Sequence, residues 1–190
     1  MKRIVIFASG SGTNAENIIK YFQKNKLAKV TLVLSNKSTA NVLVRAKKLS
    51  VPIKTFNKSE LINSDRIATI LINESPDLIV LAGFLLKFPK FILKDFPNKV
   101  INIHPALLPK YGGKGMYGML VHESVVKNKE PETGITIHYV NENYDEGSII
   151  FQKSFQLSEN DTAESVASRI HELEYEFFPK VIEEILKKDK

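Results

Sequence analysis

The chain has 190 residues, which fits one domain at about 150 residues per domain and lets roughly 70% of the unfolded surface be buried without a staple. It has no cysteine, which excludes a thiolate nucleophile, a disulfide framework, cysteine-ligated zinc and cysteinyl iron–sulfur clusters. The 27 Lys plus Arg against 21 Asp plus Glu give a net charge of +6, but the lysines are scattered and the longest apolar run is nine residues, so no nucleic-acid partner is inferred, neither a membrane span nor a signal peptide fits, and a cytoplasmic chain is expected.

Short β-branched apolar runs alternate with amphipathic stretches along the first hundred residues. The pattern predicts strands at 2–8, 30–34, 51–56, 78–82 and 100–103, with helices at 14–24, 40–49 and 60–73. Strands joined by helices of ten or more residues require parallel crossovers, so the fold class is α/β with an open, doubly wound, mostly parallel sheet. The texture then changes: 133–140 alternates strictly, and a seven-residue loop leads to a second strand at 148–155, an antiparallel C-terminal pair. A closing helix follows, with Asp161 and Glu164 at capping-box spacing and Pro179 placed to kink or restart it. No linker or repeat divides the chain, so it reads as one domain, with a phosphate-binding half over about 1–100 and a catalytic half over about 101–190.

The first chemical feature is Ser9-Gly10-Ser11-Gly12-Thr13-Asn14, between the first strand and first helix, with Thr13 and Glu16 at capping-box spacing. Glycines admit a tight turn and close backbone approach to an anion, and the free N–H groups of a helix N-terminus attract phosphate. Gly10-x-Gly12-x-x-Ala15 also fits a permissive dinucleotide fingerprint. A NAD site needs an acidic residue after the second strand, where Ser35-Asn36-Lys37 stands instead, so the loop is expected to hold a monophosphate.

The second feature is Val100-Ile101-Asn102-Ile103-His104-Pro105. Residues two apart share a strand face, so Asn102 and His104 project together at the carboxyl end of a parallel strand, where open α/β sheets place their ligands. An amide beside an imidazole suits the stabilisation of an oxyanion and the movement of a proton, as acyl transfer needs. The third feature is the 141–147 loop, which carries Glu142, Asp145 and Glu146; one carboxylate reaching His104 would orient the ring and raise its pKa, and spacing does not choose among them. His122 lacks the second histidine of a zinc motif, His138 belongs to an alternating strand, and His171 lies on an amphipathic helix; none is assigned a ligand, and no metal is expected.

Taken together, the opening loop, Leu81-Ala82-Gly83-Phe84, Asn102-Ile103-His104-Pro105 with Leu107-Leu108-Pro109-Lys110-Tyr111, Asp145-x-Gly147, and Glu174 ahead of Pro179 resemble the phosphoribosylglycinamide formyltransferases of de novo purine synthesis, across essentially the whole chain. The Asn-Ile-His-Pro stretch is shared by folate-dependent formyltransferases generally, whereas the phosphate loop and the length favour this branch, since relatives acting on other substrates carry a further domain. The resemblance implies metal-free transfer of a formyl group from 10-formyltetrahydrofolate to the glycyl amine of a phosphoribosyl substrate. It implies Asn102, protonated His104 and Asp145 as the catalytic set, and Gly12, Thr13, Asn14 and Glu174 as the phosphate and ribose contacts. It places the folate among Leu85, Leu86, Lys87, Phe88, Asn102, Asn141 and Tyr144. The partners are then small molecules, with no nucleic acid or membrane, and the chain is expected as a monomer or homodimer.

Two departures from the family pattern stand out. Leu86-Lys87 replaces the usual arginine near the folate entrance, and a loop usually containing histidine reads Gly112-Gly113-Lys114-Gly115-Met116-Tyr117-Gly118, with four glycines in seven residues. Lys58 and Arg66 are both candidates for a basic residue that usually precedes the third helix. Two other readings remain: a formyltransferase for a different amine, which keeps Asn102, His104 and Asp145 but does not require the phosphate loop, and a non-catalytic phosphate-binding module.

Overall fold

The structure is a computed structural model that describes residues 1–188. Seven strands form one sheet in the order β3-β2-β1-β4-β5-β6-β7. Strands β1 (Lys2–Phe7), β2 (Ala28–Ser35), β3 (Ile53–Thr55), β4 (Leu78–Leu81) and β5 (Val100–His104) are mutually parallel. Strand β6 (Glu132–Tyr139) is antiparallel to β5, and β7 (Ile149–Gln156) is antiparallel to β6. This is the expected doubly wound α/β sheet with its antiparallel pair.

The strands read as continuous apolar runs because both faces are covered. Ile4 and Ile6 of β1 pack with α1 (Thr13–Asn25), α2 (Asn41–Lys48) and the long α7 (Ala163–Lys188); Val5 and Phe7 pack on the opposite face with α3 (Lys58–Ile62), α4 (Arg66–Glu74) and α5 (Lys90–Asp95). Helix α6 (Met119–Lys127) contributes buried Val121 and Val125 and packs beside α7. Because the chain winds from β1 toward β3 and then back across to β4 and β5, the crevice at the carboxyl ends of β1 and β4 is the topological switch point where such sheets bind ligands.

Several local expectations are corrected. The single helix at 60–73 is two, broken at Asn63-Ser64-Asp65, where Ser64 Oγ turns back to the Glu60 carbonyl at 2.8 Å. Thr13 does not cap α1; Gly12 is the N-cap and Glu16 instead pairs with Lys20 and Arg45. The α7 cap lies one residue beyond Asp161 and Glu164: Thr162 and Ser165 exchange reciprocal hydrogen bonds of 3.0 and 3.2 Å, while Asp161 accepts from Ser158 and Ser165. Helices α5 and α6 are short and were not expected. Pro179 does not restart α7, which runs through it as one helix. A helical proline leaves the carbonyl four residues back without its donor, and here the Asn17 amide of α1 donates to the Tyr175 carbonyl at 2.8 Å.

Candidate active site

The first wall of the site is the β1–α1 loop. Gly12 has φ +75°, and a Cβ on it would lie 2.4 Å from Val42 Cβ, so the turn is open to glycine alone. The loop is tied from outside. Val42 N–H donates to the Gly10 carbonyl at 3.1 Å, and Arg45 Nε donates to the Ser11 carbonyl at 2.9 Å while its guanidinium pairs with Glu16. Ser9 Oγ donates to Asn36 at 2.6 Å and accepts from the Leu85 N–H at 3.0 Å. The α1 N-terminus is therefore tied on its far side and lines the cleft, where its first N–H groups have no intrahelical acceptor.

Across the cleft stands α7. Buried Glu174 accepts from Asn14 Nδ2 at 2.9 Å and from His171 Nδ1 at 3.0 Å. That bond raises the His171 pKa above its ordinary value of 6.5. Asn14 Oδ1 is shut off from solvent and has no hydrogen-bond partner among the described residues.

The second wall is built on β5 and the segment after it. Thr136 of β6 organises that segment: its hydroxyl donates to the Ala106 carbonyl at 2.7 Å and accepts from the Leu108 N–H at 3.0 Å and from Gln152 at 2.9 Å. Asn102 and His104 share one strand face, with Ile101 and Ile103 in the core behind them. His104 is 4% exposed; its Nε2 donates to the Tyr111 carbonyl at 2.7 Å and its Nδ1 lies 3.6 Å from Asp145 Oδ2.

Of the three loop carboxylates, Asp145 is the one beside His104. Glu142 pairs with Lys90 at the surface, and Glu146 accepts from Asn143 at 2.7 Å. Burial opposes the Asp145 charge, but the imidazoles of His138 and His104 and the Gly113 N–H at 2.9 Å hold its carboxyl below the usual range. For His104 the balance goes the other way. Burial outweighs the pull of Asp145 and lowers the pKa from its ordinary value of 6.5, so desolvation and the carboxylate oppose each other at this ring.

One cavity of about 720 Å³ joins these walls, lined by the 10–14 loop, Asn102 to Pro105, residues 113–119, Asp145, His171 and Glu174. A narrower hollow of about 50 Å³ opens beside it, with Leu86, Lys87 and Phe88 on one side and Asn141 and Tyr144 on the other. Leu85 faces the larger cavity. Phe88 is mostly core, 3% exposed and edge-on to Phe7 at 5.3 Å. Arg66 is paired with Glu60 at the α4 start, and neither Lys58 nor Arg66 lines the two cavities.

Three histidines set aside in the sequence reading lie at the site. His138 contacts Asn102 and lies 3.7 Å from Asp145, a pairing that depends on β5–β6 register and is invisible along the chain. His171 bonds Glu174, a pairing that the i, i+3 spacing on one helix does signal. His122 of α6 lines the cavity with an unpartnered, fully buried Nδ1, and burial lowers its pKa. Among the described residues no group of three or more His, Cys, Asp or Glu side chains is spaced to hold a metal ion, and no helix is long and apolar enough to cross a membrane.

A glycine-containing strand-to-helix loop is thus joined by one cleft to an Asn-His-Asp group, the arrangement of a strand-end enzyme site in an open α/β sheet. The chain belongs to the formyl transferase family, whose model matches residues 2–182. Within that family it is similar along its length to phosphoribosylglycinamide formyltransferases. The one from Haemophilus influenzae is 38% identical over 188 residues, covering 96% of this chain and 86% of the relative. The chloroplastic protein of Arabidopsis thaliana is 34% identical over 95% of this chain; the chain spans 64% of that relative's length and 60% of a second plant relative's. Among solved structures, glycinamide ribonucleotide transformylase 1 from Geobacillus kaustophilus superimposes with a TM-score of 0.89 at 33% identity, covering 98% of this chain and 99% of that one.

Proposed function

We propose that the chain transfers the formyl group of 10-formyltetrahydrofolate to the primary amine of 5-phosphoribosylglycinamide, giving the N-formyl product and tetrahydrofolate in de novo purine synthesis. The observation that carries this reading is the single cleft joining the 10–14 loop and Glu174 to Asn102, His104 and Asp145. A phosphate at one end positions an amine at the other. The names of the relatives agree with it.

In this reading Gly12, Thr13 and Asn14 hold the phosphate, and Glu174, fixed by His171, accepts from ribose hydroxyls. The pterin lies between residues 85–88 and the 141–145 loop. The amine nitrogen attacks the formyl carbon, an N–C bond forms and the C=O electron pair moves to oxygen. The formyl oxygen takes the place of the Tyr111 carbonyl against His104 Nε2–H, which stabilises the charge as it develops. Asn102 orients the reacting groups. The proton lost by the amine passes through the His104–Asp145 pair, the C–N10 bond breaks, and N10 takes a proton as tetrahydrofolate leaves. His104 and Asp145 supply that chemistry without a metal. We assign the chain to the cytoplasm; the plant relatives named chloroplastic mark the compartment as variable across the family.

The test is to incubate chelator-treated protein with 10-formyltetrahydrofolate and, separately, glycinamide ribonucleotide, glycinamide without its ribose phosphate, and unrelated amines, following folate absorbance. Turnover is expected with the ribonucleotide alone. Equal turnover of an amine lacking phosphate would assign the cleft to another acceptor, and ligand binding without turnover would make it a phosphate-binding module. Loss of activity on chelation, restored by zinc, would overturn the metal-free chemistry.

A further inference from the structure

Helices α6 and α7 pack side by side, and both line the cavity, α6 through Met119 and His122 and α7 through Ile170, His171 and Glu174. The buried apolar residues of α6 are Val121 and Val125; His122 is buried with them, 4% exposed. A polar ring taken out of water costs stability unless it is bonded, and among the described residues no hydrogen bond reaches either nitrogen of this one. A helix that needed only to dock would carry an apolar side chain there. Nδ1 is sealed from solvent, whereas Nε2 is not. A sealed N–H without an acceptor is the costlier arrangement, and burial disfavours the charged ring, so the lone pair sits at Nδ1 and the proton at Nε2. His122 therefore offers the cavity one donor.

The charge that acts most strongly on this ring is the Glu174 carboxylate, ahead of the imidazoles of His171 and His104. Asn14 Nδ2 and His171 Nδ1 both donate to Glu174 Oε2, at 2.9 and 3.0 Å. Oε1 receives no hydrogen bond from the described residues and is not sealed. His122 and Glu174 do not bond each other. An open donor and an open acceptor thus stand near one another on the cavity lining, and a hydroxyl group, which donates once and accepts as well, matches both.

We propose that His122 is a further ligand contact: its Nε2–H donates to the oxygen of the sugar hydroxyl whose hydrogen Glu174 Oε1 accepts. The position of the sugar beside Glu174 rests on the reading above. What His122 adds is recognition of the hydroxyl in both of its roles, so an analogue without that hydroxyl leaves two polar groups unbonded and is rejected.

The test is calorimetric titration at pH 7.5 with inorganic phosphate, ribose 5-phosphate and its 2-deoxy and 3-deoxy analogues, none of which needs turnover. The parent should bind one of the two deoxy sugars about ten-fold or more weakly than ribose 5-phosphate. In His122→Phe that disadvantage should shrink to within about three-fold, with phosphate affinity within about two-fold of the parent. His122→Gln, whose amide can donate, should recover most of the discrimination. Because His122→Phe removes an unpartnered polar ring, its melting temperature without ligand should be no lower than the parent's. An undiminished deoxy disadvantage in His122→Phe, or a lower melting temperature with all ligands weakened alike, overturns the proposal. If His122→Phe fails to fold, the Gln variant decides together with the 15N signals of the parent His122 ring, which should move on adding ribose 5-phosphate and not on adding phosphate; no movement overturns it. Glu174→Gln separates the proposal from the reading beneath it. Loss of discrimination there but not in His122→Phe sinks the proposal alone, whereas a parent that binds no sugar phosphate overturns the reading and the proposal together.

Discussion

At one end of the cleft the ligand-facing surface is backbone, and its supports come from behind: Val42 N–H on the Gly10 carbonyl, Arg45 on the Ser11 carbonyl. At the other end it is side chain, and Asn102, His104, His138 and Asp145, drawn from β5, β6 and the loop after it, hold one another. A backbone cradle tolerates loss of any one side chain, whereas a mutual network fails through its members because two of the partners, His104 and His138, are buried and the others partly so. On the proposed reading, the 10–14 end should therefore fail through sterics and binding, and the Asn102–His104–Asp145 end through turnover.

The largest effect is expected at Asp145. Asp145→Asn should lower kcat by roughly 10²-fold or more, the scale of a lost acid–base contribution, while Glu142→Gln and Glu146→Gln, whose carboxylates are engaged elsewhere, stay within about a few-fold. The anion pulls the His104 pKa upward against burial, so its removal lowers that pKa further and moves any limb that requires the imidazolium to lower pH. A pH profile of kcat for the four proteins checks both parts. Near-parent turnover in Asp145→Asn with loss in either glutamate variant would break the assignment.

Next comes Gly12. In Gly12→Ala the methyl meets Val42 and the backbone must adopt a left-handed conformation, at a combined cost of about 2–4 kcal/mol. Gly10→Ala has open space around its Cβ and should fold like the parent. Denaturant unfolding measures the stabilities, and separate KM values for ribonucleotide and folate should show the loss confined to the ribonucleotide. Equal loss for both would show that the loop does not act as a separate cradle.

A smaller effect is expected at Asn17. Removing its amide in Asn17→Ala leaves the Tyr175 carbonyl without a donor and should cost about 1 kcal/mol. In a Pro179→Ala background the helix supplies its own N–H, so the same change should cost less. Unfolding free energies around that cycle show whether the two residues are coupled; additivity would show that they are not.

The smallest is the pH dependence of stability. His104 and His122 are buried with pKa values below 6.5, so folding disfavours their protonation and stability falls as pH drops through about 6.5. His171, raised by Glu174, acts oppositely: its contribution is complete below 6.5 and is lost as pH rises through its higher folded value. Melting temperatures between pH 5.5 and 8, at about half-unit steps, should slope less steeply in His122→Phe and more steeply in His171→Ala.

The sheet and the glycine turn before α1 were legible in the sequence because their causes are local: apolar runs set the strands, and Gly12 stands in the turn it makes possible. Asn102 with His104 was legible for the same reason, being two apart on a strand. His138 was not, since its meaning depends on which residue of β5 it faces. For His104 the carboxylate partner is visible as a pattern, whereas the burial that opposes it is not. The misplaced α7 cap has a plainer origin: Ser158, Asp161, Thr162 and Ser165 can all cap, and the chain uses them together.

Asn14 and Asn17 lie three residues apart on one face of α1, and both grip α7, one through Glu174 and one through the Tyr175 carbonyl. Two consecutive turns of one helix are thus stitched to two consecutive residues of the other. The 10–14 loop and the Glu174 carboxylate are thereby joined as one mechanical body. A ligand spanning them has no hinge to close, so little conformational freedom is surrendered in the protein when it binds, and more of the contact energy appears as affinity.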